Sequence, residues 1–195
     1  MKVKICGITN LDDAKMSIDS GADALGFVFY EKSPRYISYF DAEKIISQLP
    51  PFVEKVGLFV NERTDVINGT MRDTGLTLSQ LHFEIEETEL KKLEHPFIRV
   101  IRAKQPFDLN KFRDEYRIVD AFVEEYGGQG KRLNLDWFKN RDNSKIILAG
   151  GLNPQNVAET KDLGFYGVDV SSGVEERKGK KSQDLVREFI ERSKY

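Results

Sequence analysis

A lone thiol, Cys6, closes a short apolar run near the start of the chain. Thiols ionise near about pH 8.5, close enough to neutrality for a neighbouring cation to tune one into a base. Asp120 closes another such run, and a carboxyl that is partly buried keeps its proton long enough to deliver it to a reacting oxygen. Gly150-Gly151 and Ser171-Ser172-Gly173 are turns of small residues whose backbone N–H groups can converge on a dianion such as a phosphate, with no lysine required. Arg35 offers a planar fork suited to a carboxylate, and Asp169 stands two residues before the serine turn. Each also has a plainer reading. An isolated cysteine is more often a small buried side chain, Asp120 a turn cap, Arg35 a solvated charge, and each glycine or serine pair an ordinary tight turn.

What matters is how these residues are positioned. Eight β-branched or aromatic runs read as strands: Val3–Ile8, Ala24–Phe29, Val53–Val60, Thr77–Leu81, Phe97–Ala103, Arg117–Val123, Lys145–Gly150 and Gly167–Ser171. Several are nearly all apolar, as strands covered on both faces must be. Helical segments alternate with them. One is capped by Thr9 or Asn10 and runs to Ser20 before Gly21, followed by Asp41–Gln48, Glu62–Asp73, Glu84–Glu94, Asp108–Glu115 and the short Leu135–Asn140. Another starts from Asn153-Pro154 and runs to Leu163 before Gly164, and Ser182–Lys194 completes the set. Strict alternation implies a parallel sheet, and eight units favour closure into a (β/α)8 TIM barrel with short loops over an open doubly wound sheet. Active sites of such barrels lie at the C-terminal ends of the strands. Cys6, Arg35, His82, Arg102, Asp120, Gly150-Gly151, Asp169 and Ser171–Gly173 all fall at such ends or in the loops after them.

The 195 residues read as one domain spanning 1–195, with no linker or low-complexity stretch. Thirty basic against 32 acidic side chains leave a net charge of −2, so no broad basic field exists to hold nucleic acid. One cysteine excludes an internal disulfide framework. With only His82 and His95 besides, a metal centre has few soft ligands to draw on, and none is expected. Neither a signal peptide nor a membrane span is readable, so a cytoplasmic protein without membrane contacts is expected. Monomer and homodimer are equally compatible with the sequence.

Five motifs then fall in order and spacing across essentially the whole chain: KICGIT, GADALGFVFY with SPRYIS, EYGGQGK, LAGGLNP, and VDVSSGVE with GKK. Together they resemble the phosphoribosylanthranilate isomerase family of tryptophan biosynthesis. The resemblance implies a cofactor-independent Amadori rearrangement, in which an N-phosphoribosyl anthranilate becomes the corresponding carboxyphenylamino deoxyribulose phosphate. It implies Cys6 as the general base at C2′ and Asp120 as the general acid at the furanose oxygen. It places Arg35 against the anthranilate carboxylate and Asp169 near the ribosyl part, while Gly150, Gly151, Ser171, Ser172 and Gly173, in turns after strands seven and eight where barrels frequently bind phosphate, are expected to receive the phosphate. Tyr126–Gly130 reads as a glycine-rich loop able to close over substrate.

Two segments depart from the family pattern. A Leu-His-Gly sequence is usual after strand four, but this chain has Leu81-His82-Phe83, and Arg102-Ala103-Lys104 after strand five also differs. His82 is therefore left outside the catalytic set. Other phosphosugar enzymes on this barrel would call for histidines around a metal or a lysine–glutamate set. A silent binding barrel would be expected to lose Cys6 or Asp120 before the phosphate turns.

Overall fold

The computed structural model describes residues 1–121 and 132–194. Eight parallel strands close on themselves in chain order: β1 Lys2–Cys6, β2 Ala24–Val28, β3 Glu54–Phe59, β4 Leu78–Leu81, β5 Phe97–Ala103, β6 Arg117–Ala121, β7 Ile146–Leu148 and β8 Gly167–Val170, with β8 returning to pair with β1. The expected (β/α)8 barrel is the fold, each strand lying within two residues of its predicted start. The end predicted for β6, Val123, and the Tyr126–Gly130 loop lie outside the described residues.

Side chains alternate between the two faces of each strand, and this alternation separates core from site. Val3, Ile5, Leu25, Phe27, Phe59, Ile101, Val119, Leu148, Val168 and Val170 face outward into the main core beneath the helices. A second cluster of Ile98, Ile118 and Ala149, with Leu78, Val100 and Ile147 against it, fills the barrel interior. By the same parity Lys4, Cys6, Gln80, Arg102, Asp120 and Asp169 point inward.

The helices are less complete than the periodicity predicts. In α1, Leu11–Asp19, the Asn10 side chain accepts from the Asp13 N–H at 2.9 Å, as its capping role requires. Helix α2, Tyr39–Ile46, begins two residues before the predicted Asp41, with Ser38 as its cap, the side chain accepting from the Asp41 N–H. Helices α3, Thr64–Thr74, and α5, Gln183–Lys194, are full length. After β4 only one turn forms, α4 Glu87–Leu90, without a side-chain cap. The predicted Asp108–Glu115 helix is replaced by a 3-10 turn over Pro106–Asn110. There Asp108 draws the Lys104 and Gln105 N–H groups back at 2.9 and 3.2 Å, and Phe112 at φ 50° breaks the path. Leu135–Phe138 is likewise a 3-10 turn. Asn153 accepts from the N–H groups of Gln155 and Asn156, locking a turn in place of the first helical turn, so 3-10 winding begins only at Val157 and ends at Leu163. After β8 the chain forms a short 3-10 turn, Ser172–Val174, and then a small antiparallel hairpin, β9 Glu175–Arg177 with β10 Lys180–Lys181.

Candidate active site

Cys6 ends β1 and Asp120 is the penultimate residue of β6. These strands are three steps apart around the ring through β8 and β7, so the thiol and the carboxyl face the mouth from separated directions. The thiol is buried, and burial pushes its ionisation up; the ammoniums of Lys4 and Lys181 oppose that push, while Asp169 adds to it. Asp120 is also raised, to about 6, first by burial and then by the nearby Asp169 carboxylate, against the pull of the Ala121 N–H, Arg102 and Lys4. A carboxyl in that range can hold and release a proton near neutrality.

Asp169 sits on β8 and accepts from Lys4 Nζ at 2.9 Å, a pair with both side chains covered. Between β1 and β2 the register sets Gly26 opposite Cys6. A Cβ on Gly26 would come within 2.7 Å of Cys6 Sγ and 3.0 Å of Lys4 Nζ, so only glycine leaves room for both.

Arg35, in the loop after β2, is buried and held by a carboxylate of the protein itself. Its Nε and Nη2 donate to the two oxygens of Glu175 at 3.0 and 2.7 Å. Lys181, 0% exposed, donates to the same carboxylate at 2.9 Å and to the Ser171 carbonyl at 3.2 Å. Two cations therefore share one buried anion. Arg35 Nη1 lies outside the Glu175 pair. The hairpin that carries Glu175 and Lys181 is anchored to α1: the Lys181 N–H donates to Asp13 at 2.8 Å, Lys180 pairs with the same carboxylate, and Thr9 donates to the Gly179 carbonyl at 2.6 Å.

The two phosphate-type turns meet directly. Gly150 and Gly151 adopt φ 88° and 63°, a backbone that side chains resist. A Cβ on Gly173 would collide with the Leu152 carbonyl oxygen, so the turns after β7 and β8 touch backbone to backbone. His82 lies at the same mouth. Burial, then Arg102 and Lys4, lowers it to about 4, which keeps the imidazole neutral. His95 is on the turn before β5, at the other end of the barrel. Among the described residues no cluster of His, Cys, Asp and Glu is placed to hold a metal ion.

Lys4, Glu175 and Lys181 are functional candidates that the sequence reading did not single out. The available signals were a lysine inside an otherwise apolar strand and the GKK run. Neither says that the ammonium turns inward.

The family profile described as N-(5'phosphoribosyl)anthranilate (PRA) isomerase matches residues 3–192. The chain belongs to the N-(5'-phosphoribosyl)anthranilate isomerase family. It is an enzyme, an isomerase of tryptophan biosynthesis. The N-(5'-phosphoribosyl)anthranilate isomerase of a Nitratiruptor species is 57% identical, with all of both chains covered. The crystal structure of the phosphoribosyl anthranilate isomerase from Thermotoga maritima superposes with a TM-score of 0.92 at 41% identity, covering 100% of this chain and 98% of that one. A phosphoribosyl anthranilate isomerase in complex with reduced 1-(o-carboxyphenylamino)-1-deoxyribulose 5-phosphate gives a TM-score of 0.85 at 40% identity, covering 100% and 98%.

Proposed function

We propose that the family reaction runs here on N-(5'-phosphoribosyl)anthranilate by acid–base catalysis between Asp120 and Cys6. The protonated Asp120 carboxyl gives its proton to the furanose oxygen as the C1′–O bond breaks and the nitrogen lone pair forms the C1′=N bond, leaving an open-chain imine protonated on nitrogen. The Cys6 thiolate then takes the C2′ proton, and the electron pair of that C–H bond moves toward the imine nitrogen to form an enolamine. Protonation at C1′ and loss of the hydroxyl proton give the ketone of 1-(2-carboxyphenylamino)-1-deoxyribulose 5-phosphate. The observation that carries the reading is the placement of a raised carboxyl and a thiol beside an ammonium at separated points of one mouth.

In this reading Gly150, Gly151, Ser171, Ser172 and Gly173 receive the phosphate on backbone N–H groups, Asp169 serves the ribosyl part, and Arg35 meets the anthranilate carboxylate through Nη1. The charge of the mouth supports it. Lys4, Lys181, Arg35 and Arg102 outnumber Asp169, Glu175 and Asp120, and the substrate brings a phosphate and a carboxylate. No step calls for a metal or a cofactor.

Turnover of freshly prepared phosphoribosylanthranilate, followed by loss of its fluorescence, tests the proposal. Activity should persist through EDTA and dialysis, and Cys6→Ser should lower kcat by about 10²–10⁴. A variant with full kcat, or an enzyme that EDTA silences and a divalent metal restores, refutes it.

Among the described residues no helix is long and apolar enough to cross a membrane. A cytoplasmic location agrees with a mechanism that depends on one reduced thiol. The opposite rim of the barrel carries Phe52, fully exposed after Pro50-Pro51, beside a cavity of about 620 Å³ bordered by Phe97, Tyr116 and Tyr166. A protrusion and a recess on one face complement each other under two-fold symmetry, so we infer a homodimer through this rim. Sedimentation velocity should show a dimer and Phe52→Glu a monomer; a monomeric wild type overturns it.

A further inference from the structure

The mouth holds a cation to which the mechanism above gives no step. Lys4 precedes Cys6 by two residues on β1, so both side chains leave the same face of the strand. Its side chain is 6% exposed and its Nζ donates to one oxygen of Asp169 at 2.9 Å. An ammonium carries three donors, and that contact uses one. The space above Gly26 is bordered at once by Cys6 Sγ and Lys4 Nζ, with no side chain from β2 between them. A buried ammonium is costly unless anions surround it. Asp169 is one anion, and an ionised Cys6 would be the second.

We propose that Lys4 is the positioning residue of the Cys6 base: held by Asp169, its ammonium is the counter-charge that stabilises the thiolate when the thiol loses its proton. The inference rests on the reading of Cys6 as the general base. Few charged groups face the sulfur. Lys4 comes from β1, Asp169 from β8 and Lys181 from the hairpin, while β2 contributes only Gly26. Lys181 is committed elsewhere, to Glu175 and the Ser171 carbonyl, with Arg35 on the far side of the same carboxylate. Burial raises the thiol; Lys4 is the largest influence opposing it. Burial likewise works against the Lys4 ammonium, yet Asp169 and Cys6 together hold it above the ordinary lysine value.

Because Cys6 is the only cysteine of the chain, the ultraviolet absorbance of the thiolate reports on it alone once a Cys6→Ser blank is subtracted. Titrated by this signal, Lys4→Met should move the midpoint up by about one pH unit or more, the effect of removing one close opposite charge. Lys4→Arg should stay near wild type. Asp169→Asn should move the midpoint the other way, since it removes a repelling carboxylate and releases the ammonium toward sulfur; this arm stands even if Lys4→Met does not fold. In turnover, Lys4→Met should lose kcat in step with the thiolate fraction, with KM little changed. A wild-type midpoint in folded Lys4→Met, or in Asp169→Asn, overturns the proposal. Normal turnover by Cys6→Ser alongside shifted midpoints would instead remove Cys6 as the base and leave the charge pairing intact.

Discussion

Asp120→Asn separates the two consequences of a raised carboxyl, one for catalysis and one for stability. In the folded protein Asp120 titrates at about 6, against about 3.9 for an unfolded aspartate. Between those values the native state binds more protons than the unfolded state, so stability falls as pH rises through the window. The wild type is thus free of the penalty below about pH 4 and bears all of it above pH 6. A difference of about two units at 1.36 kcal/mol each sets a ceiling near 3 kcal/mol. Asp120 retains some contact with solvent, which reduces the expected effect to roughly 1–3 kcal/mol. Asparagine never ionises. Urea unfolding at a series of pH values should therefore show Asp120→Asn equal to wild type near pH 4 and more stable at pH 7–8, while kcat falls by about 10²–10⁴. The pH–rate profile should change shape as well. With the acid at about 6 and the thiol above its ordinary value, the productive form, a thiolate with a protonated carboxyl, is a minor species. The wild-type plateau then begins at the Asp120 pKa and ends at that of Cys6, whereas Asp120→Asn should rise until Cys6 is ionised and not fall. A stability difference that is flat with pH, or that favours wild type at pH 8, would show that Asp120 is not raised and would refute its use as the acid.

Arg35→Ala should lower kcat/KM roughly ten- to a hundredfold by weakening the anthranilate half. Because Lys181 stays on Glu175, stability should fall by less than the about 3–5 kcal/mol of an orphaned buried charge; unchanged kcat/KM would return Arg35 to a purely structural role with Glu175. Gly173→Ala should drive the turns after β7 and β8 apart, since its Cβ meets the Leu152 carbonyl. The expected result is a loss of about 1–3 kcal/mol in urea unfolding and weaker inorganic phosphate binding by calorimetry. Phosphate affinity equal to wild type would place the phosphate elsewhere.

The barrel was legible because its determinants are local. Eight apolar runs at strand length, each followed by a polar segment, admit few arrangements, and strand position alone brought Cys6, Asp120, Asp169 and the small-residue turns to one end. The helices after β5 and β7 were overestimated because periodicity does not register side chains that recruit backbone N–H groups into tighter turns, as Asp108 and Asn153 do.

What only the tertiary structure decided is which charges meet. Lys4 and Asp169 are 165 residues apart, Arg35 and Glu175 are 140 apart, and Asp13 reaches Lys181 across 168. Closure of β8 onto β1 makes those pairs neighbours, and the anchored hairpin turns a sequence-distant lysine into the interior. Sequence determines which side chains could carry protons and which strand ends hold them. Their ionisation depends on burial and on charges a few ångströms away, and those distances exist only once the ring has closed.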